Sequence, residues 1–186
     1  MHILGIWDGH DAGACIVSGD KILVAINEER LTRRKLEVGF PANSITACLN
    51  YLSLKPSEID AVAVSTSDFA KTLTRYYPFL KEKYYLLRRR IGKMPLMPDL
   101  QRSIKYRLTE FGTSGITKHL SKINIKSQLK KLGFKNFRIY LIEHHLAHAA
   151  SAAFTSGMKK SLTITLDGIG DGLSGTVNIF NNGEFE

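Results

Sequence analysis

The first 65 residues fall into short apolar runs separated by polar or glycine-containing breaks. Residues 2 to 7 are apolar, residues 9 to 13 form a polar turn containing His10-Asp11, and residues 14 to 17 are apolar again. Gly19-Asp20 then leads into the mixed run 21 to 27, so the pattern predicts a three-strand meander whose second connection is a tight hairpin. After Pro41 the apolar period lengthens: Ile45, Cys48, Leu49 and Leu52 are spaced as one buried face of a helix over 42 to 52. Residues 56 to 60 connect it to an apolar strand at 61 to 65, which gives βββαβ. A strand at 137 to 142, an Ala-rich helix at 144 to 157 and a strand at 162 to 166 extend this to a layered α/β arrangement, a mixed sheet with flanking helices. Residues 173 to 180 alternate as a further strand, and 181 to 183 read as a turn.

Residues 69 to 135 break that rhythm. The stretch is too long for a structureless loop, and Tyr76, Tyr77, Phe79, Leu80, Tyr84, Tyr85, Leu86 and Leu87 recur at roughly helical intervals, so inserted helices are expected. Gly92, Pro95 and Pro98 punctuate its middle, and Gly133 is placed to end a basic helix near 126 to 132. The insert changes the reading of charge. It carries 17 Lys and Arg against Glu82, Asp99 and Glu110, a net +14, and leaves −5 for the rest of a chain whose total is +9. The basic excess belongs to one segment, expected to face solvent or an acidic partner; nucleic acid is the weaker reading. The dense run Glu28 to Lys35 reads either as a solvated strand end or as cations facing an anion at the first turn.

Composition narrows the class further. Apolar content of 44% with 23% charged residues is ordinary for a globular protein, and 186 residues suffice for one sizeable core. Cys15 and Cys48 fit neither a disulfide framework nor a metal-binding spacing and read as small core residues in a reducing compartment. The amino terminus lacks a secretory pattern and nothing approaches a membrane span, so a cytoplasmic protein is expected.

The densest candidate chemistry lies in Glu143-His144-His145-Leu146-Ala147-His148. On a helix His144 and His148 stand one turn apart on one face, the spacing at which two imidazoles share a divalent metal, whereas His145 sits about 100° away and belongs to the core or behind the ligands. A bare His-x-x-x-His is as often two ordinary histidines. The strand ending at Asp167, followed by Gly168-Ile169-Gly170-Asp171-Gly172, favours the metal: a carboxylate delivered beside a glycine-rich loop is a common way to hold a cation and a phosphate together. His144, His148 and Asp167 would form an open site suited to iron, zinc or manganese. Gly168, Gly170, Asp171 and Gly172 make up the loop that would take the phosphate.

Two strand meanders, each with a polar glycine turn, resemble the lobes of the actin, sugar kinase and heat-shock ATPase superfold, which is ribonuclease H-like. Four motifs in order resemble more specifically the amino-terminal domain of the nodulation and antibiotic-biosynthesis O-carbamoyltransferases, relatives of the synthase of tRNA threonylcarbamoyl adenosine. They are Gly9-His10-Asp11, the run Glu28 to Lys35 ending near Gly39-Phe40-Pro41, the stretch Glu143 to Ala152, and Asp167-Gly168-Ile169-Gly170-Asp171. The resemblance implies a first ATPase-like lobe over 1 to 157, interrupted by the basic helical insert 69 to 135, and the truncated start of a second lobe over 158 to 186. It implies a metal, usually iron, held by His144, His148, Asp167 and a fourth ligand beyond residue 186, where the adenosine pocket is also expected. It places His10 and Lys35 on carbamoyl phosphate, and implies ATP-dependent formation of carbamoyl adenylate and carbamoyl transfer to a hydroxyl of a small molecule. The missing carboxyl-terminal part would complete the enzyme, and the fragment alone is expected to be inactive. The competing readings are an ATPase or sugar kinase of the same superfold, which needs no imidazole ligands, and an RNA-binding or tRNA-modifying relative, suggested by the insert.

Overall fold

The structure, a computed structural model, describes residues 1–89, 103, 107–108 and 110–186; Gly92, Pro95 and Pro98 lie outside the described residues. Strands β1 (His2–Trp7), β2 (Gly13–Ser18) and β3 (Lys21–Asn27) form the expected antiparallel meander. The short helix α1 (Glu29–Thr32) and helix α2 (Ala42–Tyr51) lead to β4 (Ala61–Ser65), which pairs parallel with β1, and β5 (Arg138–Ile142) pairs parallel with β4. The sheet order is β3-β2-β1-β4-β5. Because side chains alternate along a strand and the registers align Leu4 with Ile16 and Val62, and Ile6 with Ala14 and Val64, these six share one face. That face is sealed by Ile45, Cys48 and Leu49 of α2.

The insert is helical, as its periodicity predicts, in α3 (Phe69–Tyr76), α4 (Pro78–Arg88) and α5 (Gly115–Lys131). It is not a detached surface. Ile125 and Leu129 of α5, followed by Phe134, enter the same core as α2, and the Leu132-Gly133 end is a glycine-terminated cap, with Gly133 at φ +88° and its N–H on the Lys130 carbonyl.

The charged run after β3 differs from a solvated strand end. Glu28 is buried, and its carboxylate accepts from the Asn43 and Ser44 backbone N–H groups, the Asn43 amide and the Ser44 hydroxyl at 2.6 to 3.1 Å. It caps α2 from fifteen residues upstream, where Pro41 offers no side-chain acceptor.

Helix α6 (His144–Thr155) packs on a second sheet of order β6-β7-β8, formed by β6 (Lys160–Gly170), β7 (Leu173–Asn181) and β8 (Glu184–Phe185). The expected strand end at 166 is exceeded: β6 runs on through a register irregularity between Leu166 and Gly170. What reads as a glycine-rich loop is therefore mostly bulged strand. Its tip is Asp171-Gly172, both at positive φ (51° and 86°), the two-residue hairpin turn that Asp-Gly favours. The faces of this sheet are inverted relative to the usual pattern. Thr163 and Thr165 are buried, while Leu162, Ile164, Leu166, Val177 and Ile179 point outward to solvent.

Candidate metal centre and the adjoining cation cluster

Strands β1, β4 and β5 run in one direction, so their carboxyl ends lie along one edge of the sheet, the position at which open α/β sheets bind ligands. Trp7-Asp8 leaves β1 there, Ser65-Thr66 leaves β4, and Glu143-His144 leaves β5 to open α6.

On α6 the two imidazoles meet as the spacing predicts. His144 Nε2 stands 3.1 Å from His148 Nε2 and 2.8 Å from Asp167 Oδ2, and His148 Nε2 stands 3.8 Å from the same oxygen. Ligands about 2.0–2.1 Å from a tetrahedral metal sit about 3.3 Å apart, and the three distances bracket that value. The donor set fits one divalent ion. Burial and then His144 push the His148 imidazolium down, which favours the neutral ligand form, and the hydrogen bond from His144 draws the Asp167 carboxyl down toward the charged form. The side chains of His148 and Asp167 are exposed, so the centre opens to solvent on that side.

Surrounding groups orient His144. Its Nδ1 lies 3.2 Å from the hydroxyl of Thr66, a buried β-branched residue held at φ +67°, a conformation such residues rarely adopt. Its ring lies against Gly170, where an added Cβ would collide with the imidazole. His145 turns away, with Nδ1 2.8 Å from the Thr165 hydroxyl and Nε2 2.9 Å from the Leu173 carbonyl, so it locks α6 to the second sheet and accounts for the buried threonine face. Asp171 is already engaged: its carboxylate accepts from the backbone N–H groups of His144 at 2.8 Å, Asp68 at 3.2 Å and Ser67 at 3.4 Å. Gly168 lies in open space, with its N–H donated to Asp167 Oδ1. Gly172 sits against Gly112 and the Glu110 carbonyl.

His10 lies in the first turn, its Nδ1 2.9 Å from Asp11 Oδ2 and its backbone bridged to Val38. Lys35 lines a separate surface recess of about 350 Å³ with Glu29, Arg30 and Arg33. No hydrogen bond or ion pair joins His10 to Lys35 among the described residues.

A second charged cluster adjoins the first through Trp7, whose ring is 5.9 Å from that of His10, 6.1 Å from that of His144, and 4.0 Å below Lys71 Nζ. Behind it, Asp8 is buried with three cations from the insert. Arg75 grips it with Nε at 2.8 Å and an Nη at 3.0 Å, Lys71 Nζ stands at 2.9 Å without hydrogen-bond alignment, and Lys81 donates to the Asp8 carbonyl at 2.9 Å. Burial would raise the Asp8 carboxyl, but the three cations overcome it and hold it well below the usual range. Burial drags the Lys71 ammonium down to about 7 despite Asp8. Part of the insert's charge is therefore interior, contrary to the expectation of a wholly solvated or partner-facing surface. A visible signal exists in the sequence, since Lys71 and Arg75 are four apart on one helix face.

Nodulation protein NolNO of Sinorhizobium fredii is 30% identical over 172 residues, 91% of this chain and 21% of that protein. An uncharacterized protein of Methanocaldococcus jannaschii is 28% identical over 184 residues, 99% and 25% of the two chains, and one of Synechocystis is 30% identical over 175 residues, 91% and 26%. The chain thus spans about a quarter or less of the length of these relatives. No helix among the described residues is long and apolar enough to cross a membrane. The carbamoyltransferase N-terminus family matches residues 2–186, and the chain belongs to that family.

Proposed function

We propose that this chain is the amino-terminal part of an ATP-dependent carbamoyltransferase that makes carbamoyl adenylate from carbamoyl phosphate and ATP and passes the carbamoyl group to a hydroxyl of a small molecule. The observation that carries the reading is the convergence of His144, His148 and Asp167 in a chain of this family. The strand order β3-β2-β1-β4-β5, followed by a second sheet that shares no ladder with the first among the described residues, supports the ribonuclease H-like superfold and a lobe boundary near residue 157.

In this mechanism His144, His148 and Asp167 would hold the metal, iron by family resemblance, and it would supply Lewis acidity to the phosphoryl chemistry. The remaining work falls to the chain. Thr66 and Gly170 fix the orientation of His144, and Asp171 ties the start of α6 to the β4–α3 turn, so the ligand set is preorganised. His10 and Lys35 present an imidazole and an ammonium to carbamoyl phosphate, neutralising charge on the departing phosphate. Gly168, in open space beside Asp167, leaves room for a nucleotide phosphate to approach the backbone. A sugar kinase or ATPase of the same superfold would not need the imidazole pair.

The test uses the complete protein. His148→Ala should lower metal content by elemental analysis at least fivefold and abolish carbamoyl phosphate-dependent release of pyrophosphate from ATP, while His145→Ala should leave metal content within twofold. Equal metal content in the two variants, or pyrophosphate release indifferent to carbamoyl phosphate, would refute the reading.

A further inference from the structure

A cavity of about 380 Å³ opens beside Asp8, between the Val38-Gly39-Phe40 segment and helices α3, α4 and α5. Neither His10, Lys35 nor any of the three metal-ligand candidates lines it. Its volume falls within the range of small-molecule sites, which begins at roughly 300 Å³. Phe40 and Phe79 form apolar walls, Asn124 and Gln128 offer amides, and Arg75 and Lys81 bring positive charge to its floor.

The charges there do not balance. Among the described residues, Asp8 is the only carboxylate in direct contact with Lys71, Arg75 and Lys81. Glu82 also lines the cavity, but both its oxygens are held by Arg34 at 2.9 and 3.0 Å. Asp68 does not line the cavity, and its carboxylate accepts from the Lys71 backbone N–H at the start of α3. Arg75 spends its donors on Asp8, Ser121 and the Ser65 carbonyl, whereas Lys81 makes one hydrogen bond among the described residues, to the Asp8 carbonyl, and keeps donor capacity at the cavity wall. Buried cations in excess of their carboxylate are stabilised when an anion completes the neutralisation.

We propose that this cavity binds an anionic group of a small molecule, a carboxylate or a phosphate, anchored by Lys81 over the Arg75–Asp8 pair, with Phe40 and Phe79 flanking the rest of the ligand. The site needs neither the metal nor carbamoyl transfer, so its test is independent of the proposed reaction.

Isothermal titration calorimetry of the complete protein, at constant ionic strength, is carried out with inorganic phosphate and separately with succinate. Saturable binding of at least one probe is expected. Binding of phosphate alone indicates a phosphate-bearing ligand, succinate alone a carboxylate-bearing one, and both a general oxyanion subsite. Lys81→Gln removes the anchor and Gln128→Glu sets a negative charge in the wall; each, when its circular dichroism matches the parent, should weaken binding at least fivefold. Should Lys81→Gln fail to fold, Gln128→Glu decides alone. No saturable heat with either probe, or less than fivefold weakening in every folded variant, overturns the proposal.

Discussion

Lys71→Met gives the sharpest test of the interior cation cluster. The ammonium is buried beside Asp8, which Arg75 already pairs through two hydrogen bonds, and its Nζ makes no aligned hydrogen bond among the described residues, whereas Lys81 donates to the Asp8 carbonyl. Its fall from 10.5 to about 7 corresponds to about 5 kcal/mol for keeping it charged in the fold, at about 1.36 kcal/mol per unit. The sign follows from proton counting. Between about pH 7 and 10.5 the unfolded chain carries the proton and the folded one does not, so this group makes stability rise with pH across that window and withholds the most below it. Met keeps the length and removes the charge. After allowance for imperfect packing, the variant should gain about 1–3 kcal/mol at pH 6, with the gain shrinking as the pH rises toward 10. Urea unfolding of parent and variant at pH 6, 8 and 10 measures this. Trp7, the sole tryptophan, adds a local probe, since Lys71 Nζ sits 4.0 Å over its ring. Its emission should titrate near pH 7 with a component that Lys71→Met removes. His10 and His144 also adjoin the ring, so the difference between the two proteins carries the assignment. A variant less stable than the parent at pH 6, or one with the same dependence on pH, would refute the reasoning.

Three further outcomes follow from the geometry. Gly170→Ala should push the His144 ring aside and reduce bound metal in the complete protein by about tenfold, read by elemental analysis, with helical content unchanged. Thr66→Val keeps the shape but removes the hydroxyl at His144 Nδ1; metal affinity in competition with a chelator should drop about tenfold, and Thr66→Ser should recover part of it. Glu28→Ala leaves the first N–H groups of α2 without their acceptor and should cost about 2–4 kcal/mol in urea unfolding, more than an exposed acid-to-alanine change elsewhere.

The strands and helices were legible where burial imposes a period. The segment 61 to 65 is a strand on the residues expected, and the helix predicted from 42 ends one residue early, because their apolar positions answer to a single core face. The pairing of His144 with His148 was legible because a four-residue step on a helix sets both side chains on one face, whereas the approach of Asp167 depends on the strand that carries it lying beside that helix. What stayed hidden depends on partners distant in sequence. Glu28 looks like one acid in a charged run until α2 places two N–H groups over it, and Asp8 looks like the polar end of a strand until α3 and α4 bring three cations to it from more than sixty residues away. The glycine-rich stretch misled in part because glycine serves two purposes. At 172 it permits a tight hairpin, and at 170 it admits an imidazole; only Gly168 stands open to a ligand.

The inverted faces of the second sheet bear on how this polypeptide behaves in solution. Leu162, Ile164 and Leu166 on β6 stand beside Val177 and Ile179 on β7, a contiguous greasy plane on a three-stranded ribbon whose other side is committed to α6. Water is a poor solvent for such a plane, and two copies laid face to face would hide it. Residues 1–186 produced by themselves should therefore be sticky: concentration-dependent association, and rescue by mild detergent or by charged replacements at Ile164 and Val177, are the natural signature of this ribbon, whereas the +9 charge of the chain acts against clumping everywhere else.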